Sequence, residues 1–190
     1  MRKVVFFFLA VVCLSFSIGA SAQSNELAIT GGGQFSSNDF FDSKTSWVVG
    51  GNFAHRIFSV PFVSLYFEVP VVVAPNSGLK LTSTDYSSVF VTPGVKLKLA
   101  PSFPLSPYVA AGVGFAHFRA DATATTPSDS HTNAVFDIGG GLDLKIAPFV
   151  SLRGEVRDFY SGIPDFNVLG GSLSGRQHNV VPQAGLVFRF

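Results

Sequence analysis

The 190-residue chain is 47% hydrophobic and 13% charged, carries 21 phenylalanines, and has a formal net charge of +1. That balance argues against a nucleic-acid-binding surface, and the apolar content is high for a soluble domain. No stretch beyond the N-terminus approaches the roughly 20 continuous apolar residues of a membrane helix, so the apolar side chains must be dispersed.

Residues 1–22 read as a signal peptide. Arg2 and Lys3 form a positive n-region, Val4 begins an apolar run that ends at Ile18, and Ala20-Ser21-Ala22 is a small-residue cleavage site with the cut expected before Gln23. Cys13, the single cysteine, lies in this run with no lipobox around it, so the mature chain has neither a disulfide framework nor a thiol site. Of the 13 basic residues, removing Arg2 and Lys3 leaves 11 against 12 acidic ones, a net charge of −1. Residues 23–190 are enough for one domain.

Within that domain eight segments alternate with period two, and no window shows a convincing helical period. Segment one, residues 26–35, puts Leu27, Ile29 and Phe35 on one face. Segment two, 45–55, sets Trp47, Val49 and Phe53 against Ser46, Gly50 and Asn52. Segment three, 61–71, sets Val63, Leu65, Phe67 and Val69 against Ser64, Tyr66 and Glu68. Segment four, 87–99, sets Val89, Val91, Val95, Leu97 and Leu99 against Ser88, Thr92, Lys96 and Lys98. Segment five, 107–119, sets Val109, Ala111, Val113 and Phe115 against Ala110, Gly112 and Gly114. Segment six, 133–146, sets Phe136, Ile138, Leu142, Leu144 and Ile146 against Asp137, Gly139, Gly141, Asp143 and Lys145. Segment seven, 150–160, sets Val150, Leu152 and Val156 against Ser151, Arg153, Glu155 and Arg157. Segment eight is 178–190.

The connections alternate as well. Those at 55–60, 100–106 and 147–149 are short or proline-bearing; those at 36–44, 74–86, 120–132 and 161–177 are longer and rich in Ser, Thr, Asp, Asn and Gly. This predicts an all-β fold, an eight-stranded antiparallel up-and-down transmembrane β-barrel, with short turns and both termini on the periplasmic side. A lipocalin-type barrel in water would place the apolar face inside. Lipid is favoured because charges share a face with the glycines, and because the other face carries more branched and aromatic side chains than a small lumen holds. Pro70, Pro93 and Pro182 fall within strands and are expected near strand ends or at bulges.

The last eight residues alternate strictly and end on an aromatic. Gln183, Gly185, Leu186, Phe188 and Phe190 together resemble the C-terminal signal by which bacterial outer-membrane barrels are recognised and inserted. Two further stretches, Pro107-Tyr108-Val109-Ala110-Ala111-Gly112-Val113-Gly114-Phe115 and Leu152-Arg153-Gly154-Glu155-Val156-Arg157-Asp158, resemble strands of the OmpA/OmpX-like outer-membrane barrel superfamily. The resemblance spans the whole chain and implies outer-membrane localisation, contact with outer-membrane lipid, and handling by the barrel-assembly machinery through the last strand. A monomer is expected. No periplasmic peptidoglycan-binding domain is expected after Phe190, so no wall-anchoring role is implied.

The inward charges are expected at Glu68, Lys96, Lys98, Asp137, Asp143, Lys145, Arg153, Glu155, Arg157 and Arg189. Buried charges must pair to be tolerated, and eight strands leave little more than side-chain-filled space. A plug is therefore expected rather than an ion path, centred on Arg153, Glu155 and Arg157 with Glu68 and Lys96 as partners. His131-Thr132-Asn133-Ala134 weakly resembles the His-x-Ser-Asn stretch of outer-membrane lipid A 3-O-deacylases. Asn133 stands at the serine position and cannot act as a nucleophile. His55, His117 and His178 lack metal-ligand spacing and are expected at the rims. Trp47, Phe118, Tyr160 and Phe188 are expected in an aromatic girdle. Gly31-Gly32-Gly33 and Gly139-Gly140-Gly141 have no helix after them and suit barrel curvature. The reading is a small outer-membrane barrel with a structural or surface-interaction role and no catalysis, cofactor or metal. The alternatives are a lipid-modifying outer-membrane enzyme and a narrow pore.

Overall fold

The computed structural model describes residues 24–37, 46–78, 85–120, 129–162 and 176–190. The expected signal peptide and much of the four long connections fall outside the described residues. The described strands are β1 (Asn25–Ser37), β2 (Ser46–Val60), β3 (Val63–Gly78), β4 (Asp85–Val91), β5 (Gly94–Leu99), β6 (Leu105–Ala120), β7 (Asp129–Ala147), β8 (Val150–Gly162) and β9 (Arg176–Arg189). β4 and β5 are two halves of one stave. All pairings are antiparallel between chain neighbours, and β1 pairs with both β2 and β9, so eight staves close on themselves. The terminal seam is completed by Asn25 N donating to Phe190 O (2.9 Å) and Phe190 N donating to Asn25 O (3.1 Å).

Alternation sorts the side chains as the sequence pattern predicts. Ser46, Val48, Asn52 and Ala54 of β2 are buried in the lumen, while Trp47, Val49 and Phe53 are exposed on the outer wall. Closure removes every sheet edge, which satisfies the backbone without help from solvent.

The prolines correct one expectation. Pro93 does sit at an irregularity, since Thr92 and Pro93 leave the ladder between β4 and β5. Pro70 and Pro182 instead lie inside β3 and β9, paired with Asn52 and Val156 on one side. Each turns its donor-less nitrogen toward a gap on the other side. Pro70 O accepts from Thr92 N at 3.4 Å, so its nitrogen, on the same edge of the strand, faces the β4–β5 break. Pro182 faces β1, whose ladder with β9 is interrupted between Gly32↔Gln183 and Phe35↔Val180. A missing ladder donor is thus matched by a missing ladder partner.

A second correction concerns residues 55–60, expected as a connection. They continue β2, with a bulge at Ile57 between the pairs Arg56↔Tyr66 and Phe58↔Leu65. The turn itself is only Pro61-Phe62. The other short turns are residues 100–104 and Pro148-Phe149, and Ala100 there holds φ at 48°.

The lumen has two zones. Toward the short turns it is charged. Toward the long connections Val48, Val72, Ala74, Phe90, Ala116, Phe118, Val135, Phe159 and Val181 pack into an apolar plug. Phe90 meets Phe118 edge-on at 5.9 Å and Phe159 at 4.9 Å. Phe118 is therefore a lumen residue, not a girdle residue, because its position on β6 has inward parity.

Candidate functional site

The charged zone is built from strands that each contribute one to three inward positions. Glu26 of β1 accepts from Lys96 Nζ (2.9 Å), Lys98 Nζ, Arg153 Nη2 (3.3 Å) and Arg189 Nε (3.2 Å). Asp143 receives a two-pronged pair from Arg153, Nε at 2.8 Å and Nη2 at 3.0 Å, and lies 2.6 Å from Lys98 Nζ. Nearer the plug, Arg157 donates to Asp137 (2.7 Å), Glu68 (2.5 Å) and Glu155 (3.3 Å). Lys96 bridges the two groups through Glu68 at 3.5 Å.

Neutral groups complete the shell. Tyr108 Oη (2.6 Å) and Gln183 Nε2 (2.7 Å) donate to Glu155, Asn52 Nδ2 donates to Glu68 (2.9 Å), and Thr30 Oγ1 donates to Gln183 Oε1 (2.8 Å). Lys96 also sits over the Tyr66 ring and the Arg153 guanidinium over the Tyr108 ring, at 5.0 and 4.8 Å. Glycines make the space, Gly139 and Gly141 among them. A Cβ at Gly139 would lie 2.7 Å from Arg157 Cγ, and one at Gly141 would lie 2.7 Å from Tyr108 Oη.

Among the described residues, the network joins five carboxylates (Glu26, Glu68, Asp137, Asp143, Glu155) to five cations (Lys96, Lys98, Arg153, Arg157, Arg189), so its formal charges cancel. Nine of the ten are buried, and Arg189 is half-buried at the rim. Chemically, such an arrangement holds charges still; it leaves no carboxylate of the network without a cation.

The whole-chain comparison decides what kind of barrel this is. Residues 7–190 match the family described as outer membrane protein beta-barrel domain. The chain belongs to that outer-membrane barrel family. No curated protein matches it in sequence. The outer-membrane barrel is similar in structure to neisserial surface protein A, with a TM-score of 0.71 and 17% identity over 91% of this chain and 100% of that one. It is similar to Ail, the attachment invasion locus protein of Yersinia pestis, solved with the heparin analogue sucrose octasulfate, with a TM-score of 0.58 and 13% identity over 88% and 99%. The outer membrane enzyme PagL is more distant, with a TM-score of 0.49 and 12% identity over 88% and 100%.

In this outer-membrane barrel the structure brings Glu68, Lys96, Lys98, Asp137, Asp143, Arg153, Glu155, Arg157 and Arg189 into one network. Lys145 does not join it. Its side chain is exposed, one pair from the rim, where the β7–β8 register shifts between Lys145 and Ala147. Sequence reasoning missed Glu26, the most connected carboxylate, and the supporting Tyr108, Asn52 and Thr30. The signal for Glu26 was available: an up-and-down barrel pairs its first and last strands, which sets Glu26 opposite Arg189.

Of the remaining expected residues, Trp47, Tyr160, Phe188, His55, His117 and His178 lie on the outer wall of the barrel. Trp47 and Phe188 are exposed, and the Tyr160 ring lies 4.7 Å from the ring of His178. His178 Nδ1 pairs with Asp158 at 2.7 Å, His117 Nδ1 with Thr132 Oγ1 at 2.9 Å, and His55 Nδ1 with Asn25 Oδ1 at 2.9 Å. His131 is half-buried on β7, on the opposite face from Thr132, so the two do not form a base–hydroxyl pair.

Proposed function

We propose that this outer-membrane barrel is a sealed, non-catalytic protein whose role is structural or lies in surface interaction through its long-connection end. The observation that carries the reading is the charge-cancelled network across the lumen, backed by the apolar plug. A conducting pore needs polar groups left free to replace an ion's hydration, and here, among the described residues, each carboxylate of the lumen network already has a cation. With the lumen filled, the outer wall and the polar connections are the surfaces left to act. The protein is exported by residues 1–22 and delivered to the assembly machinery through β9 and Phe190, with the long connections facing outward. The test is planar-bilayer recording of refolded pure protein. No discrete openings are expected; reproducible single-channel steps would overturn the sealed reading.

One observation favours a second reading as a lipid-modifying enzyme. Asp158 and His178 form an outward-facing acid–imidazole pair, the arrangement that orients a general base. Lipid A mass spectra of cells with and without His178→Ala would distinguish the readings, and identical spectra are expected.

A further inference from the structure

Asp137 gives only half of its carboxylate to the ion network. Oδ2 accepts from Arg157 Nη1 at 2.7 Å, whereas Oδ1 is buried and has no hydrogen-bond partner among the described residues. A buried acceptor of this kind needs a physical cause, because desolvating it without a partner is costly. Its neighbours are acceptors too. A Cβ at Gly112 would lie 2.5 Å from Asp137 Oδ1, 2.5 Å from Thr92 O and 3.0 Å from Pro93 O, so three oxygens converge on one notch beside β6. Thr92 is itself buried, and its Oγ1 also lacks a hydrogen-bond partner among the described residues.

The sequence builds this notch. Pro93 has no N–H, and Thr92 and Pro93 leave the ladder between β4 and β5. Three glycines, Gly94, Gly112 and Gly114, flank the break; a side chain there would collide with the backbone oxygen of Ala111, Thr92 or Val91 respectively. Charge around the notch is one-sided. Arg157 is shared by three carboxylates, Asp137, Glu68 and Glu155, and the next cation, Lys96, is shared between Glu68 and Glu26. On the short-turn side Lys98, Arg153 and Arg189 stand against only Glu26 and Asp143. The network is neutral as a whole, yet its plug-side part is short of positive charge. Phe159, the ladder partner of Asp137, belongs to the apolar plug, which keeps water from that side.

We propose that Asp137 Oδ1, the carbonyl and hydroxyl of Thr92 and the carbonyl of Pro93 form a site for one dehydrated monovalent cation of sodium size. Hard cations take carboxylate, carbonyl and hydroxyl oxygens, and a ring of such oxygens replaces the hydration shell. A divalent ion is a poorer match, since it calls for several carboxylates or for waters it keeps, and the notch supplies one carboxylate oxygen. One added positive charge offsets the local excess around Arg157. The ion is held rather than passed on, because the plug lies on one side of it and the Arg157 guanidinium on the other. The site goes beyond the sealed-lumen reading and does not depend on it.

The test is equilibrium urea unfolding of refolded pure protein in zwitterionic micelles, with sodium chloride exchanged stepwise for choline chloride at constant ionic strength. Choline is too large for the notch, so screening stays fixed and only occupancy changes. A ligand of the folded state alone lowers the unfolding constant in proportion to its concentration once the site fills, so a tenfold rise in sodium should lower it about tenfold. Asp137→Asn sets an amide N–H against the same carbonyls and should abolish this dependence. Thr92→Val keeps every charge and should move its onset to higher sodium. A sodium-independent wild type would overturn the proposal and leave a proton or a water as the partner of Oδ1. The wild-type slope in Asp137→Asn, or an unmoved onset in Thr92→Val, would overturn it as well. Thallium(I) supplies a second readout on the unsubstituted protein. Crystals grown in a thallium salt should show an anomalous peak beside Asp137, and no peak there overturns the site even if a variant fails to fold.

Discussion

Four cations converge on the carboxylate of Glu26, and three of them, Lys96, Lys98 and Arg153, are buried with it. Breaking a buried ion pair from one side costs about 3–5 kcal/mol, because the partner charge stays behind. Glu26→Ala should therefore lower unfolding stability in vesicles by that order, measured by urea titration. Arg189→Ala should cost clearly less, since Arg189 sits half-buried at the rim. An equal loss in both would refute the convergence on Glu26. Ala100 offers the opposite case. Its φ of 48° is a left-handed conformation that costs a residue with a Cβ ~1–2 kcal/mol, so Ala100→Gly should raise stability by about 1 kcal/mol in the same titration. Sequence reading found the charges that recur on one strand, such as Arg153, Glu155 and Arg157, because their spacing is itself the signal. It missed Glu26, whose inward neighbours Ala28 and Thr30 are small and uncharged, so nothing local marks that face as ionic. It included Lys145 on parity alone, and parity loses its meaning one pair from a turn.

Strands were readable because two different surroundings act on alternate side chains, and the period survives even where boundaries shift. The extension of β2 through residues 55–60 was not readable, because the Ile57 bulge breaks the period and imitates a connection. Phe118 was misplaced for a related reason: near it the outer wall turns polar at His117 and Arg119 while the apolar plug fills the lumen, so the contrast of alternation is inverted. At this scale the last strand makes the sharpest prediction. β9 pairs with β8 and β1 and so closes the barrel, but the Phe190 ring is one of many on the outer wall. If Phe190 acts as an address for assembly, Phe190→Ala should reduce folded protein in the outer membrane of cells yet refold in detergent micelles at nearly wild-type yield. Phe188→Asp places a charge on the exposed outer wall near the rim and should lower yield in both settings, by up to ~1 kcal/mol in micelle stability. Wild-type assembly of Phe190→Ala in cells would remove the terminal residue from the account of targeting.

For the whole molecule, the two seals in series that we propose make separable predictions. Phe159 lies fully buried in the plug, and Phe159→Ala should cost about 3–5 kcal/mol in stability as a core truncation. The same variant should remain electrically silent, because the ionic zone beneath it is intact. Discrete openings in Phe159→Ala would show that the plug alone blocks conduction. The ion network also bears on how the barrel is made. Glu26 and Arg189 are 163 residues apart, and Glu26 and Arg153 are 127 apart. Such contacts form late, since loop closure over long separations must come before any reward. Until the first strand meets the last, Glu26 keeps only Lys96 and Lys98 of its four partners and Arg189 lies across the open seam from it, and a charge short of partners in hydrocarbon is strongly disfavoured. A half-closed sheet therefore has no comfortable place within the bilayer. Entry into the membrane and closure of the cylinder become a single cooperative event, with the meeting of Glu26 and Arg189 marking its completion.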